Sequence, residues 1–374
     1  MRRIQKRGIN WKPGKLDVNV SLIIATYNEE ATIGEKLKNV LEQDYPKEQF
    51  ELFIMDSGSK DRTPEIVRDF IKQNPEIDVV FIQETERLGK SHALNIAYPA
   101  AKGDIKIISD ADALLEKSAL TRIVGNFADP SIGAACGRQV LLNSGQNPLT
   151  QLEKSYRGIY EVLREGESIL DSTPIFHGEL SAYRANLIEP LPEKKSADDS
   201  RLANIIRNKG FRAVYDSTAI FYEYAPPTSK SRNSQKVRRG QGLIRIFWDF
   251  RSSLFSRRCG RYGNLILPME FFMHCVFPTL LLVFLGVFLV SLAFYNFILL
   301  IFPVALFVGM LGLSRLRSNS HGLAKLRPIS LLIVGFLSSQ LILVYGLCLW
   351  ISGRSLHKWK KVDDIRQEWQ NKKT

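Results

Sequence analysis

A chain of 374 residues has room for two domains, and its 45% hydrophobic content is ordinary in amount but uneven in placement: the stretch up to about residue 225 reads as water-soluble, while nearly unbroken apolar runs follow residue 264. The net charge of +13 is uneven too, with ten Lys or Arg against the single acid Asp249 between Lys230 and Arg261; such a block seeks nucleic acid or an anionic membrane surface, and the apolar runs behind it favour the membrane over nucleic acid. Cys136, Cys259, Cys275 and Cys348 form no CxxC pair and have no His at ligand spacing, which excludes a zinc site and a disulfide framework.

Met1 to Lys15 is basic without an apolar centre, so it is not read as a secretory signal, and the soluble half is expected in the cytoplasm. Val20 to Thr26 is a buried-strand run, followed by the turn Tyr27-Asn28-Glu29-Glu30 and by Ile33, Leu37, Val40 and Leu41 at helical spacing. A second strand, Phe50 to Met55, ends in the small polar loop Asp56-Ser57-Gly58-Ser59-Lys60-Asp61, and Thr63-Pro64-Glu65 opens a helix. Val79 to Ile82 is a third strand, and Gly89-Lys90-Ser91 leads into a helix that runs to Ala101.

The fourth strand, with β-branched Ile105, Ile107 and Ile108, ends in Asp110-Ala111-Asp112. Strand side chains alternate faces, so two carboxylates at i and i+2 leave the strand end on one side. That pairing suits a hard divalent ion which keeps other ligands on a substrate's phosphates. The β-α-β-α-β-α-β order predicts an α/β fold with a mainly parallel sheet and helices on both faces, whose strand ends bring Asp56, Asp110 and Asp112 to one edge. No GxGxxG and no GxxxxGK[ST] occurs, so a nucleotide would be held by another scheme.

Further on come an amphipathic helix (Leu120, Ile123, Val124, Phe127), a strand near Ile132 to Arg138, and a helix over 147–170. A glycine turn and a strand over His177 to Arg184 follow, then a helix opened by Ser196-Ala197-Asp198-Asp199, then two strands, Phe211 to Tyr215 and Ala219 to Tyr224. Arginines set among Leu243, Ile244, Phe247 and Trp248 predict an interfacial amphipathic helix. Spans of about 267–292, 294–313 and 329–351 are each long enough to cross a bilayer. The basic loop of Arg315, Arg317, Lys325 and Arg327 is expected in the cytoplasm; three crossings would put the basic tail (Arg354, Lys358, Lys360, Lys361) outside, against the positive-inside rule.

Four segments, in order, carry a family likeness over roughly residues 18–260. Thr26-Tyr27-Asn28-Glu29 resembles an opening nucleotide-contact turn, Asp56 to Asp61 a DDGSxD loop with Ser57 for its second Asp, Asp110-Ala111-Asp112 a DxD, and Asp198-Asp199 a late acidic motif that carries the base. The chain resembles the membrane-bound family-2 glycosyltransferases, inverting enzymes of GT-A fold related to processive polysaccharide synthases. The resemblance implies nucleotide-sugar binding by Thr26, Tyr27, Glu29, Asp56, Lys90, Asp110 and Arg238, a Mn²⁺ or Mg²⁺ ion on Asp112, general-base catalysis by Asp199, and acceptor contacts by His177, Glu179 and Asp198. Gln235-Lys236-Val237-Arg238-Arg239 is similar to the family's QxxRW element, with Arg239 where the Trp belongs, a departure that weighs against processive synthesis.

The implied layout is a basic segment over 1–17, a GT-A domain over 18–228, a basic interfacial segment over 229–263, a transmembrane module over 264–352 and a basic tail over 353–374. The implied partners are a UDP- or GDP-sugar, a lipid-linked or oligosaccharide acceptor and the lipid bilayer, with no nucleic acid and with a homo-oligomer left open. The expected activity is sugar transfer to a hydroxyl at the cytoplasmic face of the cell membrane by a multi-pass protein. A processive polysaccharide synthase and a polyprenyl-phosphate sugar transferase are the alternatives, although a phosphate acceptor, already ionised, would not need Asp199.

Overall fold

The computed structural model describes residues 14, 16–144, 146, 148–193, 195–315, 327–354, 366 and 369. Arg317 and Lys325 of the basic loop, Lys358, Lys360 and Lys361 of the tail, and most of the segment 1–17 lie outside the described residues.

Eight strands form one sheet in the order β3-β2-β1-β4-β7-β6-β8-β5. They are β1 (Val20–Thr26), β2 (Phe50–Asp56), β3 (Asp78–Gln83), β4 (Ile105–Asp110), β5 (Leu114–Leu115), β6 (Ile132–Leu141), β7 (Ser181–Arg184) and β8 (Arg212–Glu223). β1 to β4 are parallel to one another, as their apolar runs predict. β7 runs antiparallel to β4 and β6, and β5 antiparallel to β8, so the sheet is mixed rather than mainly parallel throughout. In β1 and β2, Leu22, Ile24, Leu52 and Ile54 pack on one face, and Ile23, Phe53 and Met55 on the other. Each such side chain contributes ~1.5–3 kcal/mol of burial. Both faces are covered by helices, which is why these strands carry no polar alternation.

The helices of this part are α1 (Ile33–Leu41), α2 (Thr63–Gln73), α3 (Lys90–Ala100), α4 (Ala119–Gly125), α5 (Pro148–Leu170), α6 (Asp198–Asn208) and α7 (Ser229–Asp249). Two sequence expectations change. The two strands expected over 211–224 are one strand, β8, because Asp216 Oδ1 accepts from Thr218 N at 2.8 Å and Thr218 Oγ1 at 2.6 Å, and the local turn is absorbed as a bulge opposite Gly137 and Arg138. The strand expected from His177 begins only at Ser181, since residues 177–179 turn into a cavity.

A continuous helix over Tyr262–Tyr295 contains two π turns, Tyr262–Ile266 and Phe272–Val276, with α8 (Leu267–Phe271) between them and α9 (Phe277–Tyr295) after them. α10 (Phe297–Arg315) and α11 (Arg327–Ile351) follow. Of the three expected spans, Tyr262–Tyr295 and Ile329–Ile351 are long and apolar enough to cross a membrane, by length and composition alone, while Ile301–Leu313 is a shorter apolar stretch. The expected interfacial helix α7 divides its apolar residues: Ile244, Ile246 and Phe247 are buried by the chain itself, Leu243 is half-buried, and Trp248 is exposed. Glycines bring α7 and α11 together, since a Cβ on Gly240 would meet Leu343 at 3.2 Å and one on Gly346 would meet the Gln241 amide at 3.3 Å.

Candidate active site

The site lies at the C-terminal edge of the parallel strands. Register places Thr26 beside Asp56 and Ala25 beside Asp110, so three strand ends open onto one cavity of about 270 Å³. Its walls include Thr26, Tyr27, Glu29, Lys90, Asp110, Asp112, His177, Glu179, Asp198, Asp199 and Arg238. Of the candidate site residues, Asp56 alone is absent from these walls. It is fully buried, and its carboxylate accepts from Ser59 N at 3.0 Å and Thr26 Oγ1 at 3.2 Å, and from Ser59 Oγ. Its neighbour Ser57 lines the cavity instead.

Asp56 thereby shapes the loop that braces the first turn. Asn28 N donates to Ser59 Oγ at 2.8 Å, Lys60 N to Asn28 Oδ1 at 2.7 Å, and Glu29 N to Thr63 Oγ1 at 2.7 Å. Asn28 sits at φ 55°, where Asn is among the few tolerated side chains. Arg87, which the sequence reading missed, stacks its guanidinium 4.1 Å from the centre of the Tyr27 ring and also lines the cavity.

The aspartate pair is held from beneath by Lys36, a second missed residue. Its Nζ donates to Ser109 Oγ and to Ala113 O, both at 2.7 Å, and Ser109 Oγ donates to Glu179 O at 2.7 Å. This chain of bonds fixes the Asp110-Ala111-Asp112 turn to the 177–179 loop. Burial pulls the Lys36 ammonium down to about 7 against the attraction of Asp110 and Asp112. Lys90 Nζ lies 2.6 Å from Asp110 Oδ1. Burial alone would lower Lys90, but Asp110 and Asp198 outweigh it and hold the ammonium above its ordinary range.

Burial pushes Asp110 up to about 6 despite Lys90, and raises Asp112 despite Arg366, with Glu179 adding repulsion to both. Glu29 rises to about 7 by burial and the field of Asp112, although it is ion-paired with Arg366 and accepts from Thr32 Oγ1 at 3.0 Å. Burial is thus the main force that holds these carboxyls up, with their mutual repulsion added to it. The donor set is two hard carboxylates, and among the described residues no cluster of three metal-ligating side chains forms a closed cage. This fits a divalent ion of the Mg²⁺ or Mn²⁺ kind that completes its shell with a ligand's phosphates and water.

Opposite, α6 presents Asp198 and Asp199 in its first turn. Ala197 before them is left-handed at φ 63°, ψ 52°. Tyr183 OH donates to Asp199 O at 3.1 Å, and Phe176 N to Ser200 Oγ at 3.0 Å, pinning the helix start to the 174–178 loop. A Cβ on Gly178 would lie 3.3 Å from Lys90 Nζ and 3.4 Å from Asp199 Oδ2, so ammonium and carboxylate both close on this glycine. Burial, then Asp198, pushes Asp199 up to about 7, the range of a general base working near neutrality.

His177 and Glu179 are already engaged. Burial and Arg164 push the imidazole well below its ordinary range, so it is neutral, and its Nε2 faces Arg164 Nη1. Glu179 Oε1 accepts from Arg239 Nη2 at 2.6 Å; burial works to raise this carboxyl, but Arg239 prevails and draws it down to about 2. Arg239, at the place of the missing Trp, is thus part of the wall. Arg238 lines the cavity too, its guanidinium lowered by burial and by Arg239.

Residues 21–191 match the family model described as glycosyl transferase family 2, and residues 107–311 match glycosyl transferase family group 2. The chain is 28% identical over 303 residues to the Bacillus subtilis protein named Probable glycosyltransferase YdaM, covering 79% of this chain and 69% of that protein. It is 26% identical over 291 residues to poly-beta-1,6-N-acetyl-D-glucosamine synthase of Staphylococcus aureus, covering 74% and 68%. Among solved structures it is similar to the mannosyltransferase PcManGT of Pyrobaculum calidifontis in complex with GDP-Man and Mn²⁺, with a TM-score of 0.77, 28% identity, and 95% of this chain and 93% of that one covered.

Proposed function

We propose a donor, a chemistry and a place of work for a chain that belongs to glycosyl transferase family group 2: it moves a sugar, with inversion, from a nucleoside-diphosphate sugar to a hydroxyl of a lipid-linked acceptor at the cytoplasmic membrane surface. The observation that carries the reading is the opposition across one cavity of Asp110 and Asp112 on one side and Asp199 on the other, with Lys90 between.

In this reading the donor's diphosphate lies over the strand ends, against Lys90 and the first amides of α3, where cationic and N–H groups suit phosphate oxygens. Asp112, with Asp110 beside it, would hold Mn²⁺ or Mg²⁺, which neutralises charge developing on the leaving diphosphate. Tyr27, backed by Arg87, and Thr26 line the nucleotide end. The acceptor oxygen attacks the anomeric carbon from the face opposite the diphosphate; the new C–O bond forms as the sugar–phosphate bond breaks. Asp199 takes the hydroxyl proton, a role that needs its carboxylate ionised and that contributes ~10²–10⁴ in rate. Lys90 is drawn to Asp110 now and is placed to turn toward a bound diphosphate.

The apolar helices over Tyr262–Tyr295 and Ile329–Ile351 support the membrane placement: Phe284, Val287, Leu341 and Tyr345 are exposed with no part of the described chain covering them. The bound GDP-Man of the mannosyltransferase relative makes GDP-sugars the first donors to try. A thermal-shift panel of GDP and UDP with Mn²⁺ or Mg²⁺ tests the donor side. One nucleoside diphosphate should stabilise the full chain in a metal-dependent way, and Asp112→Ala should erase that dependence. Equal shifts with and without metal would remove Asp112 from its metal-binding role.

A further inference from the structure

A second cavity, of about 140 Å³, lies behind the wall formed by His177, Arg164 and Arg239, residues that line both cavities. Helices α5, α7 and α11, strand β6, His274 of the Tyr262–Tyr295 helix and the loop residues Ile175 and His177 build it. α5 contributes Glu153, Arg157, Tyr160, Glu161 and Arg164 at helical spacing, α7 contributes Lys236, Arg239 and Leu243, α11 contributes Ser339, Ile342 and Leu343, and β6 contributes Gln139. One end is therefore cationic, and the other is an aliphatic face of the apolar helix α11.

The charges there are partly spoken for. Glu153 Oε1 lies 2.9 Å from Lys236 Nζ and pairs with Arg232, and Arg157 Nη1 donates to Glu223 Oε1 at 2.9 Å. Two donors are not. Among the described residues, Gln139, only 5% exposed, has its Nε2 buried without a hydrogen-bond partner, and so has Arg164 its Nε, while the Nη1 of that guanidinium meets a neutral imidazole. A buried N–H donor without an acceptor is destabilising, so such a pair beside cationic side chains marks a place for an oxygen-rich anion.

From the unmatched donors, the cationic rim and the aliphatic wall on α11, we infer that this second cavity binds the phosphate end of an amphiphile that enters along α11. The inference rests on the proposed transferase activity and gives its acceptor a chemical class: a lipid-linked glycan whose phosphate seats on Gln139 and Arg164, and whose sugar hydroxyl passes the His177 wall toward Asp199. A neutral lipid would leave both donors unmatched; a free inorganic anion would leave the α11 wall without a purpose.

The test uses the full chain in neutral detergent micelles, with dodecyl phosphate, dodecanol and inorganic phosphate at equal concentrations as probes in thermal-shift titrations. Dodecyl phosphate should stabilise the protein well beyond the other two. Gln139→Leu, which keeps the buried volume, and Ile342→Trp, which fills the apolar end, should each weaken its apparent affinity about tenfold or more. Both variants should keep the shift given by nucleoside diphosphate with Mn²⁺, which reports a folded donor side. Equal stabilisation by inorganic phosphate, no advantage of dodecyl phosphate over dodecanol, or unchanged affinity in both variants would each overturn the inference. Loss of the nucleotide shift in the wild-type chain would instead strike the transferase reading itself.

Discussion

The two sides of the candidate cavity, proposed for donor and for acceptor, are built by different means. The donor side, at the ends of β1, β2 and β4, is a lattice of short backbone and side-chain hydrogen bonds between loops that follow consecutive strands, such as Asn28 with Ser59 and Lys60. The proposed acceptor side is assembled from distant pieces: the Glu179–Arg239 ion pair, the Arg164 guanidinium against the neutral His177 imidazole, and Asp199 on a helix start beside a left-handed alanine. The first adds many small bonds to the Lys90–Asp110 and Glu29–Arg366 ion pairs, whereas the second depends on a few contacts. Changes on the donor side should therefore be felt as altered binding, and changes on the acceptor side as altered turnover.

Asp199→Asn is the largest test of that division. Transfer should fall by ~10²–10⁴, with the nucleotide thermal shift unchanged. Loss of the shift would erase the distinction between the two sides. The same carboxyl sets a pH dependence. With its proton held to about 7 by burial and by Asp198, kcat/KM should rise about tenfold per pH unit below 7 and level off above it. Stability runs the other way. A carboxyl whose folded pKa is raised binds its proton more tightly in the folded state, so its contribution is present below the unfolded value of ~3.9 and is lost as pH climbs to about 7. Asp199→Asn should accordingly melt higher than wild type at pH 8 and no higher at pH 4.

The same contrast governs how much the sequence discloses. β1, β2 and β4 are legible because both their faces are buried, and β3 because Val79 to Ile82 is an apolar run although only half-buried at the sheet edge; the strand-end loops follow directly, so order alone places Asp110, Asp112 and Lys90 together. Asp56 is marked by its motif, but its orientation is hidden: the same loop offers Ser59 and Thr26 as partners, and they turn the carboxylate inward. Lys36 does leave a signal, a lysine on the apolar Ile33-Leu37-Val40 face of α1, and a buried lysine needs the acceptors that Ser109 and Ala113 supply. Arg164 and Arg87 leave none, since their places depend on how α5 and the segment before α3 pack against loops far away in the chain. The mixed half of the sheet is obscured for a similar reason, because β7 and β5 are only four and two residues long.

The joint between α7 and α6 should respond less than Asp199 itself. A Cβ at Gly242 would meet Ser196 Oγ at 3.0 Å and Ala197 Cβ at 3.2 Å, so α7 crosses the base-bearing turn almost at backbone distance. Gly242→Val should destabilise by ~1–3 kcal/mol through overpacking and push Arg238 and Arg239 away from the cavity. Turnover should drop more than nucleotide affinity. A variant that loses affinity and turnover in equal measure would mean that α7 supports both sides alike.

Ala197→Gly is the smallest change and the sharpest on the origin of the acceptor side. A left-handed alanine costs ~1–2 kcal/mol, which glycine relieves, while the freer unfolded chain returns ~0.5–1 kcal/mol of that gain. The net expectation is a melting temperature raised by a degree or two. The methyl group removed is also the one that faces Gly242, so the turn gains room to move. If strain at Ala197 is what aims Asp199 across the cavity, the variant is more stable and yet slower, by a few-fold in kcat, with KM for the donor unchanged. A variant that is both more stable and equally fast would place the aim of Asp199 elsewhere, in the bonds from Tyr183 and Phe176 that pin the start of α6.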